Sequence, residues 1–61
     1  MNRLKARREE LNLTQKQVAD RIGIKPQQYQ LYEYKKMLPN VELGIAIARA
    51  LETTAEALYG D

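Results

Sequence analysis

Apolar residues recur at helical spacing in several short stretches of this chain, and residues that start or stop helices separate the stretches. Leu4 and Leu11, with Ala6 weakly between them, give the first stripe, and Asn2 stands where it can cap a helix running to about Leu11. Thr14 and Gln17 then have capping-box spacing: the Thr14 hydroxyl accepts from the Gln17 backbone N–H while the Gln17 amide reaches back to Thr14. Val18, Ala19 and Ile22 mark one face of the helix that follows. Gly23 ends it, because glycine alone enters the left-handed conformation without a steric cost. Ile24 tucks into the corner. Lys25 precedes Pro26, and since the residue before proline avoids the α region while proline suits the first helical position, the next helix is predicted to start at Pro26. Only about three residues separate the two helices, the spacing of a helix-turn-helix unit.

The second of these helices, drawn as a wheel, has Tyr29, Tyr32 and Glu33 on one side and Gln27, Leu31 and Tyr34 on the other. The tyrosine side is expected to face inward, with the hydroxyls emerging at the domain edge, where a Tyr O–H finds a partner. Periodicity is lost from Tyr34 to Pro39, which reads as a loop. Asn40 caps a fourth helix, with Glu42 favourably placed in its first turn. Val41, Leu43, Ile45, Ile47, Ala48 and Leu51 are more apolar positions than one buried face needs, so this helix is predicted to be central to the core. Thr54 caps a last short helix from Ala55 to Tyr59 that brings Leu58 and Tyr59 back onto the bundle. The whole pattern is all-α, five short helices in one domain over residues 1–61, without repeats or linkers.

Sixty-one residues, 44% of them hydrophobic, make a small globular domain with a thin core. The chain contains no cysteine, so neither a disulfide nor a thiolate metal site can supplement that core, and a reducing compartment suits it. No apolar run approaches the length of a membrane span and no signal-peptide pattern is visible, so a cytoplasmic protein is expected. The net charge is only +2, but it is unevenly spread. Residues 1–39 carry nine Lys or Arg against four Asp or Glu, and residues 40–61 carry one against four. A basic front with an acidic back orients toward a polyanion, although lysines and arginines also serve simply as solvated surface.

The outward arc after Pro26 sharpens that choice. Gln27, Gln28 and Gln30 stand there with Leu31 one turn on. Glutamine can pair bidentately with the N6 and N7 edge of adenine, and an apolar side chain suits a thymine methyl, so these four residues are the candidate base readers. Gln28 has a second option. As the third residue of its helix, its amide can reach back to the Lys25 backbone N–H. Arg8 is a different kind of exception: it interrupts the inward stripe between Leu4 and Leu11, and a charge on that face needs a partner.

With these residues in view, the chain resembles the Cro/cI-type phage repressors, also called the xenobiotic-response-element family, over about residues 3–59. The resemblance rests on Leu13-Thr14-Gln15, Ala19, Gly23, Tyr32-Glu33, Lys36, Pro39, the run from Glu42 to Leu51 and the ending from Thr54 to Tyr59. It implies a lambda-repressor-like bundle of five helices whose motif occupies about residues 14–33. It also implies that Arg8 and Glu33 form a buried structural ion pair, and that Thr14, Gln15, Lys16, Lys25, Lys35 and Lys36 contact phosphates. The expected partner is a double-stranded DNA operator of two-fold symmetry bound by a homodimer, with Leu58 and Tyr59 as the interface residues. The chain departs from the pattern at several points. Lys25 replaces a usual Ser or Thr cap, Pro26 stands where some members have a DNA-facing Gln or Arg, and the tyrosines replace branched aliphatics. Lys35 and Glu52 occupy positions commonly held by Gly, which predicts turns of different shape there.

An enzyme is a poor alternative, since the chain has no His, Cys or Ser and no glycine-rich phosphate loop. Glu9 and Glu10 are adjacent on a helix and point apart, so they do not converge as an acid–base pair. No cofactor, metal or small-molecule ligand is expected. The competing class is a protein-interaction module or an antitoxin-like partner that keeps the fold with weak or no DNA binding, in which the glutamines are ordinary polar surface.

Overall fold

In the computed structural model, which describes residues 2–60, the capping box at Thr14 is complete. The Thr14 hydroxyl accepts from the Gln17 N–H at 3.1 Å and the Gln17 amide oxygen accepts from the Thr14 N–H at 2.8 Å. This starts α2, Gln15–Ile22, and the other helices are α1, Leu4–Glu10, α3, Pro26–Glu33, α4, Val41–Ala50, and α5, Ala55–Tyr59. Side-chain oxygens also cap α4 and α5, where Asn40 accepts from Leu43 N–H at 2.8 Å and Thr54 from Ala57 N–H at 3.1 Å. The start of α1 differs from the sequence expectation. Arg3 is its cap residue and carries no side-chain capping bond, while Asn2, one position earlier, accepts from Leu4 N–H at a long 3.4 Å. The Asn2 amide is drawn instead to α3, where it donates to the Tyr32 carbonyl at 3.0 Å.

α1 to α4 end in one way. A residue one position past α2, and two positions past α1, α3 and α4, takes a left-handed conformation, and the residue after that closes back onto a carbonyl of the last turn. Gly23 does this at φ 77°, with Ile24 N–H on Ala19 O at 3.1 Å. Asn12 at φ 57° is followed by Leu13 on Arg8 O, Lys35 at φ 63° by Lys36 on Leu31 O, and Glu52 at φ 56° by Thr53 on Ala48 O. The turns at Lys35 and Glu52 therefore keep the left-handed shape that glycine would take without strain, contrary to the expectation that they would differ. A side chain there costs on the order of 1–2 kcal/mol, which the closing hydrogen bonds and the packing of the next segment offset.

α2 packs against both α3 and α4, and α4 against α5. Leu4, Val18, Ala19, Tyr29, Tyr32, Ile47, Ala48, Leu51 and Leu58 meet in a single core. One face of α4 supplies Ile47 and Ala48 to the core, whereas Val41 is 80% exposed and Ile45 is 44% exposed, so its surplus apolar residues lie at the surface. The tyrosines also depart from expectation. Tyr29 is completely buried and its hydroxyl finds no partner of regular geometry, while Tyr32 is buried with its hydroxyl accepting from the Gln28 amide at 3.1 Å. Neither hydroxyl emerges at the domain edge.

Arginines also cover carbonyls at the ends of α4 and α5. Arg7 donates to the carbonyls of Leu51 and Glu52 at 2.9 and 3.1 Å, Arg21 to Ala50 O at 3.0 Å, and Arg3 to Ala57 O at 3.0 Å and Gly60 O at 3.2 Å. These carbonyls belong to the last turns of α4 and α5 and the residues just beyond them, where intrahelical donors run out.

Arg8 makes the one ion pair of the core among the described residues. Its Nε and Nη2 donate to the two oxygens of Glu33 at 3.0 and 2.8 Å, with the Glu33 side chain 1% exposed, and its Nη1 donates to the Leu13 carbonyl at 2.9 Å. Burial pushes the Glu33 carboxyl toward its neutral form, but the donors around it, Arg8 foremost, more than reverse this and hold its pKa below the ordinary value. The hydrogen bond to Glu33 raises the Arg8 pKa in turn. A carboxylate with a lowered folded-state pKa contributes stability that is present above its unfolded pKa and lost as pH falls through the folded one.

Three outcomes follow from these contacts and turns. Arg8→Ala strands the Glu33 charge and should cost about 3–5 kcal/mol, a large part of a small domain's stability, as measured by urea unfolding at pH 7. The same titration repeated toward acid should show the parent losing stability below the ordinary carboxylate range, and Glu33→Gln lacking that part of the loss. Glu52→Gly should act in the opposite direction, raising stability by up to about 1 kcal/mol by relieving the left-handed side chain, with the looser unfolded chain as the opposing effect. A thermal melt measures it, and a fall in midpoint would show that the Glu52 side chain is worth more than the relief.

Candidate nucleic-acid interface

The Gly23 corner and the Pro26 start hold α3 across α2, and the outward side of α3 is polar at its beginning. Gln27 lies exposed in the first turn of α3, and Leu31, one turn on, is 38% exposed. Gln28 is also exposed, but its amide reaches forward to the Tyr32 hydroxyl instead of back to Lys25. The reason is geometric, since residues four apart on a helix face each other and the Tyr32 ring brings an acceptor to that spot. Gln30 is half-buried, and its Nε2 donates to the Gln15 Oε1 at 3.0 Å. The four glutamine and leucine positions singled out from the sequence thus divide. Gln27 and Leu31 are free at the surface, whereas Gln28 and Gln30 are each tied to a neighbour.

The N-terminus of α2 stands beside this face. Thr14 is occupied by its capping box, which leaves the first-turn N–H groups of Gln15 and Lys16 without intrahelical acceptors, as helix geometry requires. Gln15 is half-buried and its Nε2 donates to the Glu33 Oε1 at 3.3 Å. A chain of hydrogen bonds therefore runs from the core ion pair through Gln15 to Gln30, a connection that sequence reasoning missed. Spacing within each helix carries no sign of it, because it depends on how close α2 and α3 approach. Lys16 is exposed and pairs with Asp20 at 2.9 Å. Lys25, Lys35 and Lys36 are exposed, the first at the start of α3 and the others in the loop that leaves it.

Of the two interface residues named from the sequence, only Tyr59 reaches the surface. Leu58 is 1% exposed and belongs to the core, so it has no side-chain surface to offer a second copy. Tyr59 is half-buried, and burial raises its pKa while its hydroxyl lies enclosed without a partner. Beside it lies a shallow apolar groove of about 330 Å³ bordered by Leu38, Pro39, Val41, Gly44, Ile45 and Ala55. The surplus of apolar positions on α4 was the signal for it, since Val41 and Ile45 are four apart and lie off the stripe that Ile47 and Leu51 send inward. No described helix is long and apolar enough to cross a membrane, and no cluster of three His, Cys, Asp or Glu able to hold a metal occurs among the described residues.

Two short helices joined by a tight left-handed turn, the second presenting a polar outward face, define a helix-turn-helix protein. The chain belongs to the helix-turn-helix family, whose model matches residues 4–58. It is 43% identical over 58 residues to the cryptic phage CTXphi transcriptional repressor RstR of Vibrio cholerae serotype O1, covering 95% of this chain and 52% of that protein. The chain thus spans about half the length of that relative. Among solved structures it resembles the P22 c2 repressor protein in complex with a synthetic operator, with a TM-score of 0.87 and 28% identity over 97% of this chain and 91% of that one.

Proposed function

We propose that this chain binds double-stranded DNA sequence-specifically and acts as a transcriptional regulator, a repressor in the sense of its phage relative, working on the nucleoid in the cytoplasm. The observation that carries the reading is the exposed start of α3, where Gln27 and Leu31 stand free on a helix braced from behind. A repressor seen with its operator shares the fold over nearly the whole chain, which supports the same use of the same helix. In this reading α3 enters the major groove, and Gln27 and Leu31 meet base edges with Gln28 and Gln30 beside them. The N-terminus of α2 at Thr14, Gln15 and Lys16 faces a phosphate, helped by the helix dipole, and Lys25, Lys35 and Lys36 extend the contact along the backbone. Lys16 contributes less than its charge implies while Asp20 holds it.

Gln27→Ala tests this directly. It should cost about 1–3 kcal/mol on the preferred duplex and relax preference at one position in each half-site. Folding should barely change, because the side chain is exposed. Selection from a random duplex pool supplies the preferred site and reads the relaxation. Equal specific-to-random ratios for parent and variant would remove α3 as the reader and favour a protein-interaction module.

One such module reads few base pairs, and we infer that two copies bind a two-fold operator with half-sites roughly 34 Å apart. The apolar groove of Leu38, Val41 and Ile45 beside Tyr59 is the surface that suits a second copy, in place of Leu58. Val41→Glu should leave the thermal midpoint within about 4 °C, since the side chain is 80% exposed, and should abolish two-copy binding on a palindromic site. Sedimentation with the duplex distinguishes one bound copy from two. A variant that still binds as a pair would move the interface elsewhere.

A further inference from the structure

The hydrogen bonds behind α3 have a direction. Glu33, ionised against Arg8, can only accept, so the group that Gln15 turns toward it must be the amide nitrogen, at 3.3 Å. That leaves the Gln15 Oε1 on the other side, where only a donor fits, and the Gln30 Nε2 supplies it at 3.0 Å. An amide that could otherwise flip is therefore held in one orientation from both sides. Its second N–H stays free of this chain. Gln30, meanwhile, is half-buried and has one of its two N–H groups committed, unlike the exposed Gln27 of the same helix.

We propose that Gln30 is a positioning residue, which locks the Gln15 amide with its free N–H toward a DNA phosphate oxygen, and that it does not itself read a base. The inference rests on the DNA-binding reading and deepens it: the core ion pair, Gln15 and Gln30 form one clamp that grips the backbone. A second consequence is that α2 and α3 approach DNA as a unit, since Gln15 belongs to α2 and both its holders lie on α3. A phosphate contact carries no base information. Loss of the lock therefore weakens all duplexes alike.

The test uses Gln30→Ala and Gln30→Met, the second keeping the length and buried stem while removing the donor. In the free protein, the side-chain amide of ¹⁵N-labelled Gln15 should give resolved, slowly exchanging N–H signals that move toward free-glutamine values in both variants, at an unchanged thermal midpoint. On DNA, each variant should bind the preferred and the random duplexes about two- to tenfold more weakly, the worth of one hydrogen bond, with base preference intact. Adding Gln30→Ala to Gln15→Ala should cause no further loss, because the two residues act through one contact. Relaxed preference at one base position, or losses that multiply in the double variant, would make Gln30 an independent reader and overturn the proposal. So would Gln15 signals indifferent to Gln30. If the parent selects no sequence and binds all duplexes equally, the sequence-specific reading fails, while the uniform loss still tests the clamp. A parent that binds no duplex at all overturns both.

Discussion

The buried pairing of Arg8 with Glu33 is the constraint that most of this small structure answers to. A charge that is 1% exposed has to be surrounded by donors, and each donor fixes something else in place. Arg8 comes from α1 and also holds the Leu13 carbonyl just before α2, so the first connection is anchored by the same guanidinium that neutralises the last residue of α3. Gln15 comes from α2. Three helices thus converge on one carboxylate, and their relative rotation is set by hydrogen-bond geometry as much as by apolar packing. Such a pair need not add net stability over a well-packed apolar replacement, but it penalises any arrangement that separates the two partners. For a domain with a thin core, that penalty defines which helix faces meet.

Features governed by neighbours in the chain were readable in advance, and features governed by neighbours in space were not. The capping box at Thr14, the stop at Gly23, the start at Pro26 and the caps at Asn40 and Thr54 each depend on two to four adjacent residues, and they appear where local chemistry put them. Asn2 stands one position before the cap of α1, with its Oδ1 at a long 3.4 Å from the Leu4 N–H and its Nδ2 on the carbonyl of Tyr32, thirty positions away, a contact no local pattern contains. The tyrosine hydroxyls stay inside, that of Tyr29 buried in the core and that of Tyr32 held by Gln28, a fact no helical wheel contains. At Lys35 and Glu52 the reasoning from residue type gave way to helix-end geometry. A left-handed residue is needed to recover the last carbonyls, and the chain accepts a side chain there.

For the candidate site the same division holds. Which helix turns its polar face outward follows from the period of Tyr29 and Tyr32, so the exposure of Gln27 was within reach of the pattern. Whether a glutamine on that face is free or already engaged was not, because Gln15 and Gln30 lie on different helices and Tyr32 captures Gln28 from within its own. Leu58 and Val41 exchange roles for a related reason. A terminal helix of five residues buries whichever side chain points at the bundle, and α4 carries more apolar residues than its inward face can hide.

The basic front of the chain resolves into two populations with different work. Arg3, Arg7, Arg8 and Arg21 have their guanidinium groups turned onto carbonyls or a carboxylate, where a planar fork of donors satisfies several acceptors at once. Lys5, Lys16, Lys25, Lys35 and Lys36 remain exposed, as compact charges on flexible stems, Lys16 paired with Asp20. The arginine charges persist, but they are positioned for folding, so the uneven charge of the sequence overstates how many cations can move to meet a polyanion. Three of the exposed lysines flank α3, Lys25 at its start and Lys35 and Lys36 beyond its end. In the proposed DNA-binding reading, that distribution places long-range attraction around the helix and leaves its centre to uncharged glutamine and leucine, so that attraction to any duplex and discrimination among duplexes would fall to different residues.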